Sequence, residues 1–400
     1  MAPKLKVLQQ SPDRRQPLGF SVGAYLRGMD WILLVATLGL CTYGLFMLYA
    51  ATHADTNIHS PYFYVRSQGI GLVIGFVFLI IISVTNYTWL ARWRIYIWGA
   101  ALVLLVLTLV PGIGAGNATV GANRWIDLRV TRLQTSELAK MLLIVSLAGV
   151  LAEGTALRRR LRFVIVCVAF VMVPTALVFL QPDLGTALVF GAILVTMLVV
   201  WGIRMPHLGI LAGAGAFAGV LVLRILPSVG IKILKGYQLQ RLTVFLDPEK
   251  YKDSIGYQLA QSKIAVGSGM FSGKGWGNGT QTGLNFLPEH HTDFIFAVIG
   301  EEFGFLGGML LLGLFALIIW RAFRIARMSV DMFGRLIATG IAGVLTFEVF
   351  VNVGMTIGIM PVTGIPLPFV SFGSSSLVVF LMMIGLLESV HVHSVAGQAR

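Results

Sequence analysis

The stretch LNFLPEHHTDFIFAVIGEEFGF, Leu284 to Phe305, runs a polar segment carrying Glu289, His290, His291, Thr292 and Asp293 straight into an apolar one. In a chain this apolar, the junction places a carboxylate at a membrane surface, at the mouth of a helix. Asp293 there has two compatible readings. Thr292 or Asp293 can cap the helix, accepting from the N–H groups that every helix start leaves unpaired. Asp293 can also act as a general base, since a carboxylate against apolar walls holds its proton more tightly and can take one from a hydroxyl group. A helix start would hold the side chain rigidly in either role. His290 and His291 are its neighbours, and two adjacent histidines are not by themselves a metal site.

Other polar residues stand out against the apolar background. Glu137 and Lys140 are three apart on one helix face, at the start of an apolar run. An unpaired charge at the bilayer centre costs roughly 2.5–3.5 kcal/mol, so they either neutralise each other or line a site. Asp183, in QPDLGTAL, follows the turn-setting Pro182; it either caps the next helix or meets Lys140 or Arg124. Glu301 and Glu302, and deeper Glu348 with Asn352 one turn on, must find partners or water. Lys263, Lys274, Arg241 and Arg124 are candidates for holding a diphosphate, whose oxygens need positive charge and N–H donors. Gly267, Gly269, Gly273, Gly275, Gly277 and Gly279 give a backbone that can approach a ligand closely. There is no Walker motif and no Rossmann fingerprint, which argues against a soluble nucleotide-sugar site. In GIMPVTGIPLPFVSFGSSS, Pro361, Pro366 and Pro368 forbid a continued helix. Such a segment at membrane depth must be buried in protein or line a cavity, and Ser371, Ser374, Ser375 and Ser376 would cap the last helix or face a ligand.

The elements that must position these residues are membrane helices. The chain is 56% hydrophobic and 12% charged, with a mean hydropathy of +0.84. Apolar runs of roughly 20 residues recur, the length that crosses a hydrocarbon core of about 30 Å, and none alternates as a barrel strand would. The reading is an all-α polytopic membrane protein with about ten spans: 31–51, 67–84, 93–110, 136–153, 163–180, 185–201, 207–227, 293–320, 336–358 and 374–393. The first span has no cleavage site before it and reads as retained. One membrane domain over 31–393 is expected, with a cytoplasmic tail at 1–30 and another at 394–400. Arg92, Arg94, Arg158, Arg159, Arg160, Arg162, Arg321, Arg324, Arg327 and Arg335 fall in alternate connections and mark the cytoplasmic side, with both termini inside. That distribution explains the net charge of +13 without nucleic acid. The outer face then receives 52–66, 111–135, 181–184, 228–292 and 359–373, which carry most of the unusual residues. Within the long loop 228–292, residues 255–266 suit an amphipathic helix on the membrane surface, with Lys263 on its polar side. Cys41 and Cys167 lie within spans, with nothing to suggest a bridge or a metal site.

Taken together, GANRWIDL, QTSELAK, QPDLGTAL, FLDPEKYKDSIGYQLAQSKIAVGSG, GKGWGNGTQ, LPEHHTDFIFAVIGEEFGFLG and MPVTGIPLPFVSFGSSS resemble the shape, elongation, division and sporulation (SEDS) family of bacterial membrane proteins. Their order and spacing cover nearly the whole chain. FLDP with GYQLAQSKIAVGSG and GKGWGNGTQ looks most like the rod-shape branch, RodA, rather than the division branch, FtsW. The resemblance implies a ten-span peptidoglycan glycosyltransferase of the cytoplasmic membrane. Such an enzyme polymerises lipid II, by inversion, onto a strand carried on undecaprenyl diphosphate, and works with a class B penicillin-binding protein. It further implies that Asp293 is the catalytic residue and that Glu137, Lys140 and Asp183 belong to a polar cavity. His290, Thr292 and Ser371 are expected beside the substrate. A divalent cation such as Mg2+ would suit the diphosphate, although no ligand set is legible. Family members often carry glycine where this chain has Met270 and Ser374. The alternative reading is a flippase for lipid-linked precursors, which would use the same cavity without forming a bond; a third is a scaffold anchoring a cell-wall complex.

Overall fold

The computed structural model describes residues 22–53, 62–110, 114–117, 122–127, 132–158, 160–229, 235–245, 247, 251, 255–284 and 286–398. Residues 1–21, most of the expected tail 1–30, and 399–400, the end of the expected tail 394–400, lie outside the described residues, as do parts of the long loop. Helices are numbered here as α1 Trp31–His53, α2 Tyr62–Val84, α3 Arg94–Leu107, α4 Thr135–Glu153, α5 Leu161–Leu180, α6 Leu184–Trp201, α7 Met205–Val220, α8 Gly236–Thr243, α9 Ile255–Ser268, α10 Ile295–Met328, α11 Met332–Thr356 and α12 Ser374–Gln398. Among the described residues nine helices are long and apolar enough to cross a membrane, and α3 is a shorter apolar tenth. These ten fall on the ten expected runs.

Three helices form the centre. In α12, α11 and α4 the most apolar stretch is 83%, 78% and 67% buried, whereas in α2 and α5 the figure is 28% and in α7 it is zero. Helices that are apolar all round but packed on one side only must meet lipid with the other. The centre is therefore ringed by α1, α2, α5, α6 and α10, with α7 outermost. Small residues let the ring close tightly: a β-carbon on Gly71 of α2 would stand 2.8 Å from the Ser374 side chain of α12. Ser374 thus sits in this helix contact.

Two features differ from the sequence reading. A three-stranded antiparallel sheet occupies the 111–135 connection: β1 Gly114–Asn117, β2 Ala122–Asp127 and β3 Arg132–Gln134, with Trp125 opposite Gln134. Its strands, of three to six residues, are too short for alternation to show. And α9 does not simply lie on a surface. Its Gly256, Leu259, Ser262 and Ala265 form a buried stripe against α10 and α11, and Ser262 donates to the Thr356 carbonyl at 2.8 Å. Lys263 does stay on its exposed side.

The connections assigned to the outer face gather at one end. Tyr237 donates to the Pro182 carbonyl (3.4 Å), Val362 N–H to the Arg241 carbonyl (3.2 Å) and Phe372 N–H to the His291 carbonyl (2.9 Å). Ion pairs from the basic connections, Arg94 with Glu153 and Arg321 with Asp30, hold other helices together. Cys41 and Cys167 are buried free thiols.

Candidate active site

Asp293 lies half-buried in the turn that leads into α10. Neither it nor Thr292 caps that helix. The cap position is Phe294, with no side-chain hydrogen bond, and Thr292 Oγ1 donates to Glu289 Oε2 instead, at 2.9 Å. The carboxylate is thus not spent on the helix start. Burial pushes its pKa up to about 6; Arg241 opposes that, Glu289 adds to it, Arg124 opposes it and Asp183 adds a little. A base poised near neutrality suits proton transfer.

Arg241 comes from α8. Its Nη1 donates to the Thr363 carbonyl at 3.4 Å, beside Gly364. A β-carbon on Gly364 would stand 2.6 Å from Arg241 Nη1 and 3.3 Å from Asp293 Oδ2, which puts guanidinium and carboxylate no more than about 6 Å apart. With φ at +73°, position 364 favours glycine on backbone grounds as well. Arg124, on β2, is tied to the turn between α5 and α6: it donates to the carbonyls of Gln181 (2.9 Å) and Pro182, and lies 4.0 Å from Asp183. Asp183 caps α6, accepting from Thr186 N–H at 3.2 Å, and also accepts from Ser136. Of its two expected partners it meets Arg124.

Glu137 and Lys140 form a cluster with Glu348. Lys140 Nζ lies 2.8 Å from Glu137 Oε2 and 2.6 Å from Glu348 Oε1, with the Phe380 ring 5.2 Å away. Ser376 donates to Glu137 at 2.9 Å. All three charged side chains are at most 2% exposed, so they sit between packed helices rather than on the wall of an open cavity.

The glycine-rich segment approaches protein, not an open site. At Gly304 (φ +60°, ψ −152°) α10 is broken, and the segment 269–275 supplies what the break removes. Lys274 and Gly275 N–H donate to the carbonyls of Glu301 and Glu302, both at 3.0 Å; Phe305 and Leu306 N–H donate to those of Met270 (2.9 Å) and Phe271 (3.1 Å). A non-helical break at membrane depth is tolerated only when its backbone groups are paired in this way. Lys274 belongs to this joint: its ammonium is 2.6 Å from Glu301, which also accepts from the backbone N–H groups of Thr280 and Gln281. It is a counter-ion to a buried acid and not a free diphosphate ligand. Lys263 is exposed and lies across Gly358.

His290 is a strut. It is 2% exposed, and its ring nitrogens face the carbonyls of Leu287 (2.7 Å) and Ala51 (2.9 Å), which leaves neither for substrate. Ser371 donates to the Thr292 carbonyl (2.6 Å) and accepts from Leu367 N–H (2.8 Å), so it too shapes the site from behind. Gln68 braces the same segment through the Ser371 carbonyl and Gly373 N–H. Gln68 and Gly364 escaped the sequence reading; Gln68 follows Arg66 and Ser67 at the polar start of an apolar run, where an amide draws no notice. Among the described residues no three His, Cys, Asp or Glu side chains are grouped to hold a metal, and the cations facing Asp293 are Arg241 and Arg124. That donor set does not fit a divalent ion.

The family model described as cell cycle protein, covering FtsW, RodA and SpoVE, matches residues 31–396. The chain is 36% identical to the probable peptidoglycan glycosyltransferase FtsW of Trichlorobacter lovleyi, over 90% of this chain and 92% of that one. It is also 36% identical to the peptidoglycan glycosyltransferase MrdB of Escherichia coli K12, over 91% and 94%. Identity therefore does not separate the rod-shape branch from the division branch. A solved chain described under structural coordination of polymerization and crosslinking by a peptidoglycan synthase complex superimposes with a TM-score of 0.73, at 31% identity, over 92% of this chain and 98% of its own. RodA of Thermus thermophilus gives a TM-score of 0.64 at 29% identity, over 91% and 96%.

Proposed function

The chain belongs to the FtsW/RodA/SpoVE family of cell cycle proteins, the SEDS family, and from that premise we propose that Asp293 is the general base of its glycosyl transfer. The protein is a peptidoglycan glycosyltransferase, a multi-pass enzyme of the bacterial cytoplasmic membrane acting in cell-wall synthesis. The acceptor is lipid II, and the donor is a growing strand on undecaprenyl diphosphate. Asp293 takes the proton from the acceptor GlcNAc 4-hydroxyl as that oxygen bonds to the donor MurNAc anomeric carbon. The bond from that carbon to the diphosphate oxygen breaks with its electron pair, and the configuration inverts. Negative charge grows on the leaving diphosphate, so a cation there acts most strongly in the transition state. Arg241 is the best placed of the four cation candidates, and Arg124 is the other cation that acts on the Asp293 carboxylate. No step passes through Mg2+.

One observation carries this reading: the half-buried Asp293 carboxylate is left free by the helix start and sits beside Arg241 at the end where the outer connections meet. The partner proposed is a class B penicillin-binding protein, supported by the likeness to a chain of a peptidoglycan synthase complex. The rod-shape branch is proposed on the motifs alone. Reconstitution with that partner and labelled lipid II tests the reading. Polymer from the parent and none from Asp293→Ala is expected; equal polymer from both removes Asp293 from the chemistry, and lipid II moved across the bilayer without polymer favours a flippase.

A further inference from the structure

Asn352 is an amide at 0% exposure near the C-terminal end of the apolar helix α11. Its Nδ2 donates to the backbone carbonyl of Asp293 at 2.9 Å and to that of Ile365 at 2.8 Å. Its Oδ1 has no hydrogen-bond partner among the described residues. An apolar residue here would leave both carbonyls unpaired, at about 1–3 kcal/mol each, so the amide holds them together while its own Oδ1 is left over. The two carbonyls also fix which way the amide faces, because only its NH2 can donate to both.

The two carbonyls belong to the two halves of the site. One is that of Asp293 itself. The other lies in the segment that carries Thr363 and Gly364, to which Arg241 is attached through the Thr363 carbonyl (3.4 Å) and through Val362 N–H (3.2 Å). We propose that Asn352 is a positioning residue for the transfer reaction, a single side chain that sets the spacing between the Asp293 carboxylate and the Arg241 guanidinium. The proposal rests on the reading of Asp293 as the base. The charged groups facing that carboxylate are Arg241 and Arg124, which favour its ionised form, and Glu289 and Asp183, which oppose it. Loosening the brace lets Arg241 withdraw, so the carboxylate becomes harder to ionise.

The test is polymerisation of labelled lipid II by the full chain with its partner, read as kcat, KM and the pH profile of kcat/KM. Asn352→Asp keeps the shape but sets a carboxylate oxygen, in place of Nδ2, against both carbonyls; Asn352→Ser keeps one donor. Folding is checked by size-exclusion profile and Tm. In the variants that fold, kcat should fall by up to ~100-fold, the order of loss expected from misplacing a reacting group by an ångström. KM for lipid II should change little. The acid limb should move up by about one pH unit, the lower end of what an opposite charge at this range contributes. A kcat close to the parent's overturns the proposal. So does a loss with the acid limb unmoved, or failure of both variants to fold, since either makes Asn352 a packing residue only. Asp293→Ala in the same assay separates the two failures. An active Asp293→Ala defeats the base reading itself; an inactive one beside an unaffected Asn352→Asp defeats only the positioning role.

Discussion

Replacing Lys140 by methionine should destabilise the protein severely, and the geometry sets the size. The ammonium is the shared counter-ion of two carboxyl groups, 2.8 Å from Glu137 and 2.6 Å from Glu348, in a cluster whose side chains are at most 2% exposed. Removing one member of a buried ion pair costs about 3–5 kcal/mol, because the partner charge is left without compensation in a medium that cannot solvate it. Here two carboxyl groups lose the same cation, so the upper part of that range is expected. Methionine fills most of the lysine volume and keeps the contact with Phe380, which confines the change to charge. The assay is unfolding of the purified protein in detergent, followed by heat and by denaturant. The triple variant Glu137→Gln, Lys140→Met, Glu348→Gln should regain more than half of the loss, since it removes the stranded carboxylates together with the cation. A Lys140→Met variant as stable as the parent would refute the reasoning. A triple variant no better than Lys140→Met would place the loss in packing rather than in charge.

Two more outcomes follow from the break in α10. Gly304→Ala should yield little folded protein, because its β-carbon would stand 2.5 Å from Gly273 N and 2.7 Å from Gly269 O, in a backbone region that essentially only glycine enters; a monodisperse, active variant on size exclusion would contradict this. Met270→Gly should raise the Tm slightly. Methionine sits there at φ +51° and is 80% exposed, and relief of roughly 1–2 kcal/mol of backbone strain outweighs the extra freedom glycine gains when unfolded, roughly 0.5–1 kcal/mol; a lowered Tm would show that the side chain packs against something.

The spans were legible because lipid dictates their length, and Asp293 was legible because it stands where polar sequence turns apolar. The Glu137–Lys140 pair and the Asp183 cap were local enough for spacing to reveal them. What sequence left hidden was contact across distance. The glycines after Val266 announce that a backbone comes close to something, and that something is α10 itself, broken at a glycine that looks unremarkable within FGFLGG. Lys274 and Glu301 are 27 residues apart, and Asn352 and Asp293 are 59 apart. No periodicity links such pairs, so a counter-ion looked like a ligand and the brace was noticed only as a polar residue near Glu348. His290 stood in a polar motif beside the base, and only the fold reveals that Ala51, far earlier in the chain, occupies its second nitrogen.

The central claim is that Asp293 removes a proton in its ionised form, under the influence of Arg241. The pH profile of kcat/KM for lipid II polymerisation tests it most directly. A base must be unprotonated to act, so the rate should fall as the pH drops through about 6, where burial has raised the Asp293 carboxyl. Arg241 favours the ionised form, so Arg241→Gln should carry that limb to higher pH whatever it does to the maximal rate. A limb at the ordinary carboxylate range, or one that stays in place when Arg241 is removed, would contradict the account.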